Sequence, residues 1–155
     1  MAGTSPTLES LNLKALKGKK VAVISAQWHP EICDNLAVGA ELIFKAAQVE
    51  YETFTVSGSF ELPLASQLKL DQGFDGAVVL GLVMRGDTAH FDYICQGVTS
   101  GVMQVSLAKS KPVGFGVLMC DNLAQAVERS KVGLGIGNKG EEAALAVLAL
   151  WNLAN

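Results

Sequence analysis

The sequence is short of charge, of paired cysteines, of aromatic series and of long apolar runs, and each shortage narrows what the protein can be. Charged residues make up 17% of the 155-residue chain, against about 25% in an ordinary soluble domain. With 50% of its residues hydrophobic, a lone monomer has too few polar groups to cover its surface, which points to a homo-oligomer. The net charge of -3 includes no basic stripe, and the sparse aromatics form no stacking series, so a nucleic-acid platform is not expected. Three cysteines, Cys33, Cys95 and Cys120, are odd in number, widely spaced and free of any Cys-x-x-Cys pair, which favours a reducing compartment over a secreted disulfide framework. The polar stretch Met1 to Ser10 lacks the apolar core of a signal peptide, and no apolar segment is long and continuous enough to cross a bilayer. A cytoplasmic protein with no membrane partner is expected.

What is present reads as one domain over residues 1–155, with 1–15 as an extended or flexible N-terminal arm. A chain of this length buries about 70% of its unfolded surface, enough to fold without disulfides or a structural metal. Four segments read as strands: Lys20 to Ser25, Tyr51 to Val56, Gly76 to Val83 and Val113 to Met119. Near-continuous apolarity in the first, third and fourth predicts burial on both faces, as in a parallel sheet. Helical periodicity falls between them, over Ile32 to Val49, Leu62 to Leu70 and Tyr93 to Lys109. Asp121 is the expected N-cap of a short helix, Leu123 to Arg129, and a last helix runs from about Gly140 to Leu153. Apolar residues spread around that last helix require partners on two sides, from core packing, a subunit interface or both, and the low global charge favours the interface. Right-handed crossovers covering both faces make an α/β three-layer sandwich, with a four-stranded parallel sheet in the flavodoxin-like order 2-1-3-4, the most economical topology.

In such a sheet the ligand crevice lies beyond the carboxyl ends of the strands, and the polar chemistry of this sequence collects there. Trp28 and His29 follow the first strand, Ser57 to Glu61 the second, and Arg85 to His90 the third. In the last of these, Gly86 frees backbone N–H groups, Thr88 adds a donor, Arg85 adds charge, and His90 has the side chain best suited to proton transfer near neutral pH. For an isolated Arg and His, a structural ion pair and a helix start would be the better reading; their concentration at one strand end favours a site. Trp28 offers a broad π-face for a flat ring, or fills a gap over the sheet edge. Gly58 lets the backbone approach a ligand, and Glu61 supplies a carboxylate acceptor or an N-terminal helix charge, roles that can coexist. His29, between Trp28 and Pro30, reads as a loop residue without a catalytic role.

Five elements carry a family resemblance: Ser25-Ala26-Gln27-Trp28-His29, Gly58-Ser59-Phe60-Glu61-Leu62-Pro63, Arg85-Gly86-Asp87-Thr88-Ala89-His90-Phe91-Asp92-Tyr93, Glu128-Arg129, and Gly137-Asn138-Lys139-Gly140. In this order and spacing they resemble the lumazine synthase family. The resemblance implies condensation of 5-amino-6-(D-ribitylamino)uracil with 3,4-dihydroxy-2-butanone 4-phosphate to 6,7-dimethyl-8-ribityllumazine, the penultimate step of riboflavin synthesis. It implies no metal and no organic cofactor. It makes His90 the catalytic acid and base. It assigns the ribityl-pyrimidine to Trp28, Ser59, Phe60, Glu61, Leu82, Val83, Met84 and Phe115, and the phosphate to Asp87, Thr88, Arg129 and Lys139. Phe115 and Arg129 would come from a neighbouring subunit, and Asp87 would present its N–H rather than its carboxylate. Without the resemblance, Phe115 reads as core and Arg129 and Lys139 as solvated surface.

The implied partners are small-molecule substrates, further copies of the chain in a homo-oligomer with sites between adjacent subunits, and riboflavin synthase. Family members form pentamers, some of which pack into icosahedral capsids. The sequence departs from the family at Ser59, where alanine is usual, at Met84, where an aliphatic residue is usual, and at Met119-Cys120, where many members have two threonines. Its link from Arg129 to Asn138 is longer than in many members. Two other readings share the fold: a non-catalytic carrier or shell subunit, and a nucleotide-binding switch. The switch would need a phosphate loop at Ala26 to Pro30, for which those residues are poorly suited.

Overall fold

The computed structural model describes residues 6–155. Its strands are β1 (Lys20–Ala26), β2 (Glu50–Val56), β3 (Gly76–Met84) and β4 (Val113–Cys120). The helices are α1 (Pro30–Ala47), α2 (Leu62–Asp71), α3 (His90–Lys109), α4 (Leu123–Arg129) and α5 (Lys139–Leu153). All strand pairs are parallel and the sheet order is β2-β1-β3-β4, as the sequence pattern predicts. Register is set with Val21 opposite both Tyr51 and Gly76, and with Val79 opposite Phe115.

The two-residue side-chain period of a strand divides the core in two. Val21, Val23, Val78, Leu80 and Leu82 point to one face, where they meet Leu36, Ile43 and Phe44 of α1 and Ala144, Val147 and Leu148 of α5. Ala22, Ile24, Ala77 and Val79 point to the other, against Leu62 and Leu70 of α2 and Val98 and Val102 of α3. β1 and β3 are therefore covered on both sides, which explains their unbroken apolar sequence.

Three expectations are corrected. β4 is one of the two edge strands, and its apolarity does not mean burial on both faces: Phe115 and Met119 stay 39% and 37% exposed. The N-cap of α4 is Asn122, whose side chain accepts the Gln125 N–H at 3.0 Å, because the Asp121 carboxylate is turned to Arg85. The last helix mainly completes the core, with Ala143, Ala144, Leu145, Val147, Leu148 and Trp151 buried, and leaves Ala146, Leu150 and Leu153 open on its other side. Gly140 allows that packing, since a Cβ there would run into the Leu36 carbonyl of α1. Of the 1–15 arm, residues 1–5 lie outside the described residues. The part that follows makes single 3-10 turns at Leu8–Ser10 and Leu13–Leu16, with Leu8 and Leu11 against the core.

Candidate functional site

Three strand ends build one cavity. β1 stops at Ala26, and only three residues separate it from Pro30, the first residue of α1. Pro fits there because its missing N–H would have no helical partner. The tight connection puts His29 in the left-handed region at φ 54°. Its carbonyl accepts from the Ile32 and Cys33 N–H groups, both at 3.1 Å. The Cys33 thiol donates to the Trp28 carbonyl at 3.2 Å, which fixes the backbone from which the 70% exposed indole of Trp28 projects.

After β2, Gly58 leads into a single 3-10 turn, Ser59–Glu61, that runs directly into α2. Atoms of both Glu61 and Trp28 crowd around Gly58: a Cβ there would come within 3.2 Å of Glu61 Oε2 and 3.3 Å of Trp28 Cδ1. A carboxylate and an indole thus converge on backbone that carries no side chain. Ser59 is buried, and its Oγ has no hydrogen-bond partner among the described residues. Phe60 is 63% exposed beside α3.

β3 supplies the floor, with Leu82 buried and Val83 and Met84 half-buried. The segment Arg85 to Ala89 then turns into α3, where Thr88 Oγ1 accepts the His90 N–H at 3.3 Å. Arg85 is committed to structure: its Nε lies 2.6 Å from Asp121 Oδ1, its guanidinium 3.6 Å from Asp92, and it stacks on Phe91. The Asp121 hydrogen bond raises its pKa further above the usual guanidinium value, so it is a permanent cation.

The cavity enclosed by these segments measures about 710 Å³ and is lined by Trp28, Ser59, Phe60, Glu61, Leu82, Val83, Met84 and His90. Eight of the residues singled out in the sequence therefore meet around one space. Asp87 and Thr88 lie exposed on the adjoining loop. The other three are elsewhere. Phe115, Arg129 and Lys139 line a separate hollow of about 230 Å³ along β4. There Arg129 donates to the Gln125 carbonyl at 3.0 Å, and Lys139 contacts both oxygens of Glu142 at 2.9 and 2.8 Å. One chain thus carries two separate hollows: an apolar cavity with two imidazoles, those of His29 and His90, and one carboxylate, and a smaller one with one aromatic and two cations.

His29, Gly58 and Ile94 also line the larger cavity, although sequence reasoning set His29 aside. The available signal was Pro30, because a proline at the first helical position puts the preceding residue at the strand's carboxyl end, facing the crevice. Asn138 was quoted only within a motif, yet it is fully buried. Its amide donates to the Asn35 and Lys131 carbonyls while its oxygen caps α5 by accepting from Gly140 and Glu141. Among the described residues no group of three or more His, Cys, Asp or Glu is placed to hold a metal.

Comparison with known proteins gives a consistent result. A family model described as 6,7-dimethyl-8-ribityllumazine synthase matches residues 18–155. A Streptomyces coelicolor protein of that name is 43% identical over 140 residues, which is 90% of this chain and 87% of the relative. One from Streptomyces avermitilis is 45% identical over 131 residues, covering 84% and 81%. One from Bdellovibrio bacteriovorus is 46% identical over 135 residues, covering 86% and 74%.

Proposed function

The chain belongs to the 6,7-dimethyl-8-ribityllumazine synthase family, and from that premise we propose how its residues divide the work of the family reaction. The enzyme condenses 5-amino-6-(D-ribitylamino)uracil with 3,4-dihydroxy-2-butanone 4-phosphate, releasing 6,7-dimethyl-8-ribityllumazine, orthophosphate and water. An amine must attack a ketone with loss of one water, phosphate must be eliminated, and a ring must close with loss of a second water. Each step moves a proton, and at neutral pH the side chain best matched to that task is histidine.

His90 is the proposed acid and base, since it is the imidazole that follows the anion-binding loop and lines the cavity. The pyrimidine stacks on Trp28 over the backbone of Leu82, Val83 and Met84. The ribityl hydroxyls bond to Glu61 and to the backbone of Ser59 and Phe60. Asp87 and Thr88 offer N–H and hydroxyl donors to the phosphate.

Substrates of this enzyme are small molecules and it works as an oligomer. The observation that carries the proposed arrangement is the division of these residues between two separate hollows. Phe115, Arg129 and Lys139 lie in a hollow of their own, so they reach the His90 cavity of an adjacent subunit rather than their own. There Phe115 covers the ring and the two cations bind phosphate, supplying the positive charge that the large cavity lacks. Exposed apolar side chains on β4 and α4, among them Met119, Leu123 and Val127, and on α2 and α3, among them Leu64, Leu68, Met103 and Leu107, support burial between subunits. The proposed unit is a pentamer, alone, paired or packed into a capsid. A cytoplasmic setting, with riboflavin synthase taking the product, completes the reading and agrees with three free thiols.

The test is absorbance-monitored lumazine formation from the two substrates, with wild type beside His90→Ala. Product from wild type that falls at least about a hundredfold in the variant supports the assignment; equal turnover overturns it.

A further inference from the structure

The two cations of the β4 hollow are held in different ways. Arg129 donates to a neutral acceptor, the Gln125 carbonyl, at 3.0 Å, and the adjacent Glu128 carboxylate is turned to Lys131 at 2.6 Å, so the guanidinium keeps its charge. Lys139 instead meets both carboxylate oxygens of Glu142, Oε1 at 2.9 Å and Oε2 at 2.8 Å. Lys139 lines the hollow and Glu142 does not. The two side chains are 41% and 36% exposed, so the pair stands in contact with water.

A lysine at this place calls for a nearby carboxylate. It is the first residue of α5, at the end where the helix dipole opposes a cation, and Glu142, three residues on, supplies the negative charge that this end favours. The arrangement has a second effect. An ammonium has three N–H donors; with two hydrogen bonds committed to Glu142, one donor is left and the charge is partly cancelled. Water-exposed ion pairs are weakly held, so a phosphate dianion entering the hollow competes with Glu142 for Lys139 and loses part of its binding in doing so.

Resting on the reading that Lys139 binds phosphate, we propose that Glu142 is a positioning residue for the phosphate subsite: it anchors the Lys139 ammonium beside the hollow and attenuates its pull on phosphate. The phosphate ester that enters and the orthophosphate that leaves present the same kind of anion, so a site that held the first very tightly would also retain the second. Glu142 weakens the hold on both through Lys139. That raises KM for the phosphate substrate and eases release of orthophosphate without acting on the reacting atoms.

The test uses the assembled enzyme and two readouts, KM for the phosphate substrate and the competitive inhibition constant of inorganic phosphate. Glu142→Gln keeps one oxygen to accept from Lys139 and removes the charge. Freed of that competition, Lys139 should lower both constants by about threefold, while kcat does not rise and KM for the uracil substrate does not move. Lys139→Ala should raise both constants, and in that background Glu142→Gln should have little further effect, because the carboxylate acts through the ammonium. If Lys139→Ala weakens phosphate but Glu142→Gln binds it no more tightly than wild type, the inference is overturned and the phosphate role of Lys139 stands. If Lys139→Ala also leaves both constants unchanged, that role fails and the inference falls with it. An equal effect of Glu142→Gln with and without Lys139 overturns the inference as well, since the carboxylate would then act on phosphate by its charge alone.

Discussion

Arg85 at the end of β3 is bonded to Asp121 at the end of β4, Nε to Oδ1, at 2.6 Å. The Arg85 N–H also donates to the Cys120 carbonyl at 2.9 Å, so the two strand ends are tied by backbone and side chain together. The loop from Gly86 to Ala89 starts from this tie. Arg85→Ala and Asp121→Asn should both raise KM for the phosphate substrate more than they lower kcat, because they loosen the loop without touching the reacting atoms. The pair is exposed, so Tm should move little. Steady-state kinetics with thermal melts check both statements.

Ser59 and Gly81 are packed too closely to tolerate another methyl group. A Cβ on Gly81 would lie 2.5 Å from Ser59 Oγ, so Gly81→Ala should destabilise the protein by about 1–3 kcal/mol. Ser59→Ala in the same chain should recover most of that loss. By itself Ser59→Ala should be neutral or stabilising by up to about 1 kcal/mol, since the hydroxyl it removes is buried without a partner. Denaturant melts of the double-mutant cycle decide the point.

Asn138 closes four hydrogen bonds between the α4–α5 link, α1 and the first turn of α5. Asn138→Ala removes a cap and the amide that donates, in half-buried bonds, to the Asn35 and Lys131 carbonyls, at an expected cost of about 1–3 kcal/mol. Asn138→Asp retains the cap oxygen but not the donors, and should fall between wild type and alanine on the same melt.

Burial pushes the Cys33 thiol up to about 11, with the Asp34 charge adding to the shift. At pH 8 that leaves about one thiolate per thousand. Iodoacetamide should spare Cys33 in the native protein and label it after urea unfolding, as peptide mapping will read. The folded pKa is raised, so the folded state favours the neutral thiol. The stabilising effect of this group is full below the ordinary thiol range and is lost as pH rises through that range towards 11.

The sheet was legible because a doubly covered parallel strand has to be apolar along its whole length, as β1 and β3 are. The same signal misled at β4, since local hydrophobicity does not say which strands lie at the edge; Phe115 and Met119 project from an edge strand and stay partly exposed. Asp121 and Asn122 are equally good caps in sequence, and what separates them is Arg85, 36 residues away. The cavity wall at Trp28, Glu61 and His90 followed from reading strand ends. His29 was placed at the crevice without a role, and Asn138 was missed because its place depends on a backbone turn that no residue pattern announced beyond the link glycines.

The account's central claim is that each active site joins His90 of one subunit to Arg129 of the next, and subunit mixing tests it most directly. His90→Ala and Arg129→Ala chains are unfolded together, refolded into mixed assemblies confirmed by native mass spectrometry, and assayed at limiting phosphate substrate. Random mixing puts both intact residues in about a quarter of the sites, so activity should rise well above either variant alone, towards that fraction of wild type. Mixed assemblies no more active than the two variants measured separately would contradict a site shared between subunits.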